Sequence, residues 1–177
     1  MKLLVLFIIL IILILISSVY NGMVKMRNKV LESKSGIDIY LKKRFDLIPN
    51  LVNCCKGYMK HEKDVFTEIS SLRTNYDKDD NIVNGSLLNN KVNYLLAKAE
   101  NYPELKANAE FLELQRELSS IEDDISRSRK IYNSSVSTFN SKIEVVPSNL
   151  VAFLFGIKKF EFFQIEDYEK ENVKVEI

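Results

Sequence analysis

The sequence predicts an all-α protein: an N-terminal transmembrane helix followed by an antiparallel bundle of long helices. Three observations predict it. Leu3 to Ile16 is an unbroken run of fourteen Leu, Ile, Val or Phe residues. A helical period begins where that run ends. Breakers are scarce, with five glycines and three prolines in 177 residues. Abundant Leu, Lys, Glu and Asn suit long helices better than many short strands.

The apolar run comes first. Each of its residues contributes roughly −0.3 to −0.6 kcal/mol to insertion near the bilayer centre, so the run supplies on the order of −4 to −8 kcal/mol. No charge opposes it between Lys2 and Lys25. With Ser17, Ser18, Val19 and Tyr20 added, the span reaches about 27 Å at about 1.5 Å per residue, close to the hydrocarbon thickness. Leu3, Phe7, Leu10, Leu13 and Ile16 form the membrane-spanning core, and Tyr20 is placed at the interface. A cleaved signal peptide is the rival reading, but Ile16-Ser17-Ser18 is a poor small-x-small cleavage site. Orientation follows from the flanking charges. Lys2 stands alone before the span, whereas Lys25, Arg27, Lys29 and Lys34 follow it closely. The excess marks the cytoplasmic side: a single-pass cell-membrane protein with a short N-terminus outside and a cytoplasmic body. Lys25, Arg27 and Lys29 are also candidate headgroup contacts.

The body reads as two apolar stripes. Met23, Val30, Ile37, Leu41, Phe45, Ile48, Val52, Cys55, Met59, Phe66, Ile69 and Leu72 recur at three, four or seven residues, as on one long helix. Pro49 interrupts the stripe and predicts a kink near Phe45. Asn75 to Ser86, with its Asn-Gly dipeptide, reads as a linker. A shorter helix runs from Leu87 to about Glu100, and Asn101-Tyr102-Pro103 ends it. Phe111, Leu114, Leu118, Ile121, Ile125, Tyr132, Val136, Phe139 and Ile143 form the second stripe, which stops before Pro147. Each stripe alone would expose a large apolar patch, so the two bury each other. Ser148 and Asn149 start a short apolar helix, Leu150 to Phe155, and Gly156 caps it. Residues 1–20 are therefore read as the membrane helix, 21–147 as the bundle body, and 148–177 as a short apolar helix and tail, extended or frayed from Asn172.

Composition narrows the function classes. A net charge of +1 lacks the basic excess of a nucleic-acid binder. The sequence holds no nucleophile–base set, metal-ligand cluster or phosphate loop, so no catalytic activity, cofactor or small-molecule substrate is expected. Cys54 and Cys55 are adjacent. Zinc needs about four ligands and thioredoxin-like chemistry needs two intervening residues, so the pair reads as two small apolar residues on a helix face. His61-Glu62 has no second histidine to complete a metalloprotease motif and reads as solvated. Lys42-Lys43-Arg44 would stand over 30 Å from Tyr20 along a straight helix, so a solvated or salt-bridged face is expected there. Phe153, Phe155, Phe160, Phe162 and Phe163 fall within eleven residues. They cap the bundle, dock a partner or dip into lipid, and aromatic residues lead interface hot spots.

Several blocks carry a resemblance: Leu41-Lys42-Lys43-Arg44-Phe45-Asp46-Leu47-Ile48-Pro49-Asn50-Leu51-Val52, Lys56-Gly57-Tyr58, Ala99-Glu100-Asn101-Tyr102-Pro103-Glu104-Leu105-Lys106-Ala107-Asn108, Leu112-Glu113-Leu114-Gln115-Arg116-Glu117-Leu118, Tyr132-Asn133, Pro147-Ser148-Asn149-Leu150 and Phe155-Gly156. In this order the chain resembles the LemA family of bacterial membrane proteins, from Tyr20-Asn21 to about Asp167. The resemblance implies a membrane helix, a short exposed N-terminus and an antiparallel helical body; it does not imply a catalytic activity, because the family's molecular function is not established. Members are often encoded near a membrane metalloprotease. A membrane-protein partner, such as that protease, and a setting in membrane-protein quality control are the implied expectations. The chain departs from the family's habit at Cys54-Cys55, at Lys34, and at Phe139-Asn140, where Tyr-Asn is usual. The function expected is thus a membrane-anchored helical scaffold or interaction module, with a lipid-binding or membrane-remodelling module as the alternative.

Overall fold

The computed structural model describes residues 1–79 and 82–163, with the side chains of 76–79 and 82–86 left aside. The described residues form six helices: α1 (Lys2–Lys56), α2 (Lys63–Asp79), α3 (Ile82–Ala99), α4 (Pro103–Lys106), α5 (Ala109–Glu144) and α6 (Ser148–Leu154). No strand occurs among them. The chain divides into two compact units. One comprises residues 38–125, the other residues 1–37 and 126–177.

In the unit of residues 38–125, apolar side chains from all five helices present meet in one core. Phe45, Ile48, Leu51, Val52 and Cys55 come from α1, Phe66 and Ile69 from α2, and Leu88, Val92, Leu95 and Ala99 from α3. Leu105 of α4 and Phe111 and Leu118 of α5 complete it. Helices α2 and α3 form an antiparallel hairpin, since Glu62 meets Lys98 at 2.8 Å while Glu68 meets Lys91 at 2.8 Å. Helices α1 and α5 are also antiparallel here. Arg44 pairs with Glu122, and ten residues further along α1 Cys54 meets Asn108, just before α5 begins.

Two elements differ from the sequence reading. The first stripe is not one helix: α1 ends at Lys56 and α2 starts at Lys63. The Cys55 carbonyl accepts the amides of both Tyr58 (3.0 Å) and Met59 (2.9 Å), which closes the helix. Met59 is fully buried all the same, so the apolar period runs on through the turn and hides the break. The stretch Asn75–Ser86 is not a linker of that length, because α2 continues to Asp79 and α3 resumes at Ile82. Extending a nucleated helix by a residue of modest propensity costs well under about 1 kcal/mol, less than packing two long helices together returns. Asn84-Gly85 therefore lies inside α3. Pro49 sits within α1 and does not end it. The tail from Asn172 lies outside the described residues.

In the other unit, the inner face of α1 is a heptad, Met23, Val30 and Ile37, all buried. Tyr132, Val136, Phe139 and Ile143 are buried on α5. All nine residues of the second stripe are buried, with Ser128 filling the one seven-residue gap between Ile125 and Tyr132. That three–four spacing is the pattern of a helix seated in a bundle. Helix α6 buries Ser148, Val151 and Ala152. It closes as expected at Gly156, whose φ of 64° lets the Ile157 amide reach the Ala152 carbonyl at 2.9 Å.

Candidate functional site

The apolar end of α1 is fully solvent-facing. Every side chain from Leu3 to Leu15 is exposed, Ile16 is half-buried, and an 18-residue window has a mean hydropathy of 3.2 with no residue buried. Leu3, Phe7, Leu10 and Leu13 thus touch little else in the chain. A soluble monomer does not leave so long an apolar surface to water. By length and composition this is a helix able to cross a membrane. It passes into the body without a break. Lys25, Arg27 and Lys29 are all exposed on α1. They stand about 8 to 14 Å beyond Tyr20 along the axis.

The five phenylalanines fall into two groups. Phe160, Phe162 and Phe163 lie on an extended strap, held to α5 by two asparagines one heptad apart. Asn140 accepts the Phe160 amide at 3.0 Å and donates to the Phe160 carbonyl at 2.9 Å. Asn133 does the same at Phe163, at 2.8 and 3.2 Å. The Tyr132 hydroxyl donates to the Glu161 carbonyl at 3.0 Å between them. Each amide side chain thus copies the donor–acceptor pair that a neighbouring β-strand would offer. Phe160 then packs edge-on against Phe139 (5.2 Å between ring centres), and the Arg129 guanidinium covers Phe163 at 4.7 Å. Phe162 faces outward. Phe153 and Phe155 instead belong to the α6 end. Phe153 is 89% exposed, and Phe155 lies against Tyr20 with ring centres 4.6 Å apart.

The sequence marks the strap's anchors only as family blocks, Tyr132-Asn133 and Phe139-Asn140, and assigns them no role. A signal was present: Tyr132-Asn133 and Phe139-Asn140 are an aromatic–Asn pair repeated after seven residues on one helix.

The remaining polar features build structure. Of Lys42-Lys43-Arg44, Lys42 pairs with Asp46 at 3.7 Å, Lys43 lies over the Tyr40 ring, and Arg44 is buried against Glu122 and Asn93. Arg44 precedes Ile48, Leu51 and Cys55 at helical spacing, which is why its stem is inside. Asn108 caps α5 by accepting the Phe111 amide at 2.9 Å, and its amide donates to the Tyr58 hydroxyl at 3.0 Å. Cys55 is fully buried; burial first, and the neighbouring Cys54 second, push its thiol up to about 12. Burial, then Glu110, also raises Cys54. Neither is the low-pKa thiol that redox or nucleophilic chemistry needs. His61 is exposed in the turn between α1 and α2.

Known proteins decide the family. The LemA family profile matches residues 33–177, most of the chain. The chain belongs to the LemA family. Protein LemA of Metamycoplasma hominis is 26% identical over 158 residues, covering 86% of this chain and 72% of that protein. Magnetosome protein MamQ 2 of Paramagnetospirillum magneticum is 26% identical over 82% of this chain and 64% of its own length. Magnetosome protein MamQ of Magnetospirillum gryphiswaldense is 22% identical over 81% and 64%. The chain thus spans about two-thirds of the MamQ proteins it matches. None of these is an enzyme name. The family assignment and the apolar α1 together describe a membrane-associated helical protein.

Proposed function

We propose that this LemA-family chain is a membrane-anchored helical scaffold, not an enzyme, whose body binds other membrane proteins on the cytoplasmic side. The observation that carries it is α1 itself. One uninterrupted helix presents only apolar side chains to its surroundings over Leu3–Leu15, then becomes the inner heptad of a packed body at Met23, Val30 and Ile37. A cleavable leader has no reason to continue as a structural helix of the mature domain, whereas an anchor does. Lys25, Arg27 and Lys29 just beyond the span support a cytoplasmic body. The polar side chains of that body serve caps, the ion pair of buried Arg44 with half-exposed Glu122, and the strap. The relatives are named for a family and for the magnetosome rather than for a reaction, which agrees with a structural role. A membrane metalloprotease is one partner that fits this setting.

The outward Phe162 is the place to look for that partner. A photo-crosslinking residue at position 162 of the full chain, irradiated in native membranes, should trap a discrete membrane protein identified by mass spectrometry. Recovery of only uncrosslinked chain, from this position and from exposed Leu112 and Tyr94, would remove the scaffold reading.

A further inference from the structure

The short helix α6 is apolar on both faces, and only one is covered. Ser148, Val151 and Ala152 face inward and are buried. Leu150, Phe153 and Leu154, at i, i+3 and i+4, face outward and are 67%, 89% and 68% exposed. Val146 just before the helix and Phe155 just after it are 77% and 50% exposed. A helix apolar all round belongs in a protein core or in lipid.

Where α6 stands decides between those. Phe155 packs on Tyr20 with ring centres 4.6 Å apart. Tyr20 lies four residues, about 6 Å, beyond Ile16, the last residue of the unbroken apolar run. A span from Leu3 to Tyr20 covers about 27 Å of a hydrocarbon core roughly 30 Å thick, so Tyr20 sits at its edge. The uncovered face of α6 is thereby held at the depth where acyl chains meet headgroups. Lys158 follows at once and is exposed, in place to meet anionic headgroups, while the exposed Lys159 pairs with Glu144.

We infer that α6 is a second membrane contact, an interfacial helix whose Leu150–Phe153–Leu154 face enters the same phospholipid leaflet from which α1 emerges. Interfacial helices bury their apolar face about 5–10 Å into the headgroup–acyl boundary, a depth that matches the position of Tyr20. The contact holds the unit that contains α6 and the start of α1 against the membrane at two points, so that α1 cannot tilt freely in the bilayer. The inference rests on the anchoring role of α1.

The chain contains no tryptophan, so a single introduced one reports alone. Phe153→Trp, Leu154→Trp and Phe7→Trp would each be made in the full chain, reconstituted into phosphatidylcholine–phosphatidylglycerol vesicles with or without brominated acyl chains. Because Phe153 and Leu154 face outward, these changes leave the fold intact, which circular dichroism checks. For Phe153→Trp the expected result is blue-shifted emission, strong quenching by brominated lipid and protection from aqueous iodide, with a shallower depth than for Phe7→Trp. Iodide quenching without bromine quenching at both 153 and 154 overturns the inference, as does protection from both quenchers, which means that protein covers the face. If Phe7→Trp itself escapes bromine quenching, the anchor reading fails. If only the α6 positions escape, the anchor stands and α6 does not touch lipid.

Discussion

Replacing Asn140 by Ala removes both hydrogen bonds that hold the strap at Phe160, the amide at 3.0 Å and the carbonyl at 2.9 Å. A net hydrogen bond is worth about 0.5–1.5 kcal/mol, so the pair contributes roughly 1–3 kcal/mol. The edge-on contact between Phe160 and Phe139 adds about 0.5–1.5 kcal/mol where the strap stays docked, and is lost with it. The strap is half exposed, so water re-pairs the freed backbone groups and the loss stays near the low end. That energy holds a local segment and not the bundle: none of the strap residues Phe160–Phe163 belongs to the apolar core of the unit of residues 38–125. The effect should therefore appear as local opening. In Asn140→Ala, exchange of the Phe160 amide should accelerate on the order of 5- to 10-fold, with the melting temperature almost unchanged. Hydrogen exchange read by mass spectrometry on peptides covering residues 157–163 measures this in the detergent-solubilised chain. Asn140→Asp keeps the acceptor for the Phe160 amide but loses the donor, and should recover part of the protection. Asn133→Ala should act likewise at Phe163, and the double variant should fall short of the sum, because one strap is released once. A Phe160 amide that exchanges equally fast in wild type and Asn140→Ala would show that the side chain does not hold the strap.

Four further outcomes follow from the same geometry. Leu118 and Ile125 are 6% and 1% exposed, so Leu118→Asp or Ile125→Asp buries a lone charge and should lower stability by several kcal/mol; wild-type melting of both would take α5 out of the core. Glu122→Ala leaves the buried Arg44 guanidinium without its charged partner, with Asn93 at 3.5 Å remaining, and should cost about 1.5–3 kcal/mol, more than Arg44→Met, which removes the charge and keeps the stem; denaturant titration ranks them, and the reverse order refutes the pairing. Cys55 is held neutral up to about 12 when folded while an unfolded thiol ionises near 9, so unfolding releases a proton between those values and stability should fall as pH rises from 9 to 12. Lys98, raised by its hydrogen bond to Glu62, loses its stabilising contact in the same alkaline direction, so Cys55→Val should flatten the decline without abolishing it; an unchanged slope excludes the thiol as a contributor. For orientation, Lys60→Cys in a chain with Cys54→Ser and Cys55→Val should resist an impermeant maleimide in intact cells and react after lysis, and labelling of intact cells would place the body outside.

Much of the fold is legible in the sequence because its helices are long and their burial is periodic. Nine residues chosen for spacing on α5 are nine buried residues, since a helix seated in a bundle must repeat its inner face every three or four positions. Breaks are less legible when the core spans them. Met59 keeps the apolar period through the turn after Lys56, so the pattern continues where the helix does not. The reverse error arises at Asn84-Gly85. Turn-forming residues report local preference, and that preference is a few tenths of a kcal/mol to about 1 kcal/mol per residue, small beside the packing of α2 on α3.

The aromatic segment marks the limit more sharply. Composition shows five phenylalanines in eleven residues and cannot assign them, because a ring that packs on its own chain and a ring that waits for lipid or protein are the same letters. Two kinds of information divide them. Polar spacing on a different element is one: Asn133 and Asn140, a heptad apart, capture the backbone at Phe163 and Phe160 and so commit the strap to α5. Depth is the other. The contact between Tyr20 and Phe155 relates α6 to the end of the apolar run, and it joins residues 135 positions apart in the chain (155 − 20). Without that contact, Leu150, Phe153 and Leu154 are an exposed patch with no stated neighbour. With it, their height along α1 is fixed to within a helical turn or two, about 5–10 Å. On the proposed anchoring of Leu3–Ile16 in a bilayer, the same hydrophobic effect acts on the outward face of α6, since leaving that face in water next to hydrocarbon is the costlier arrangement.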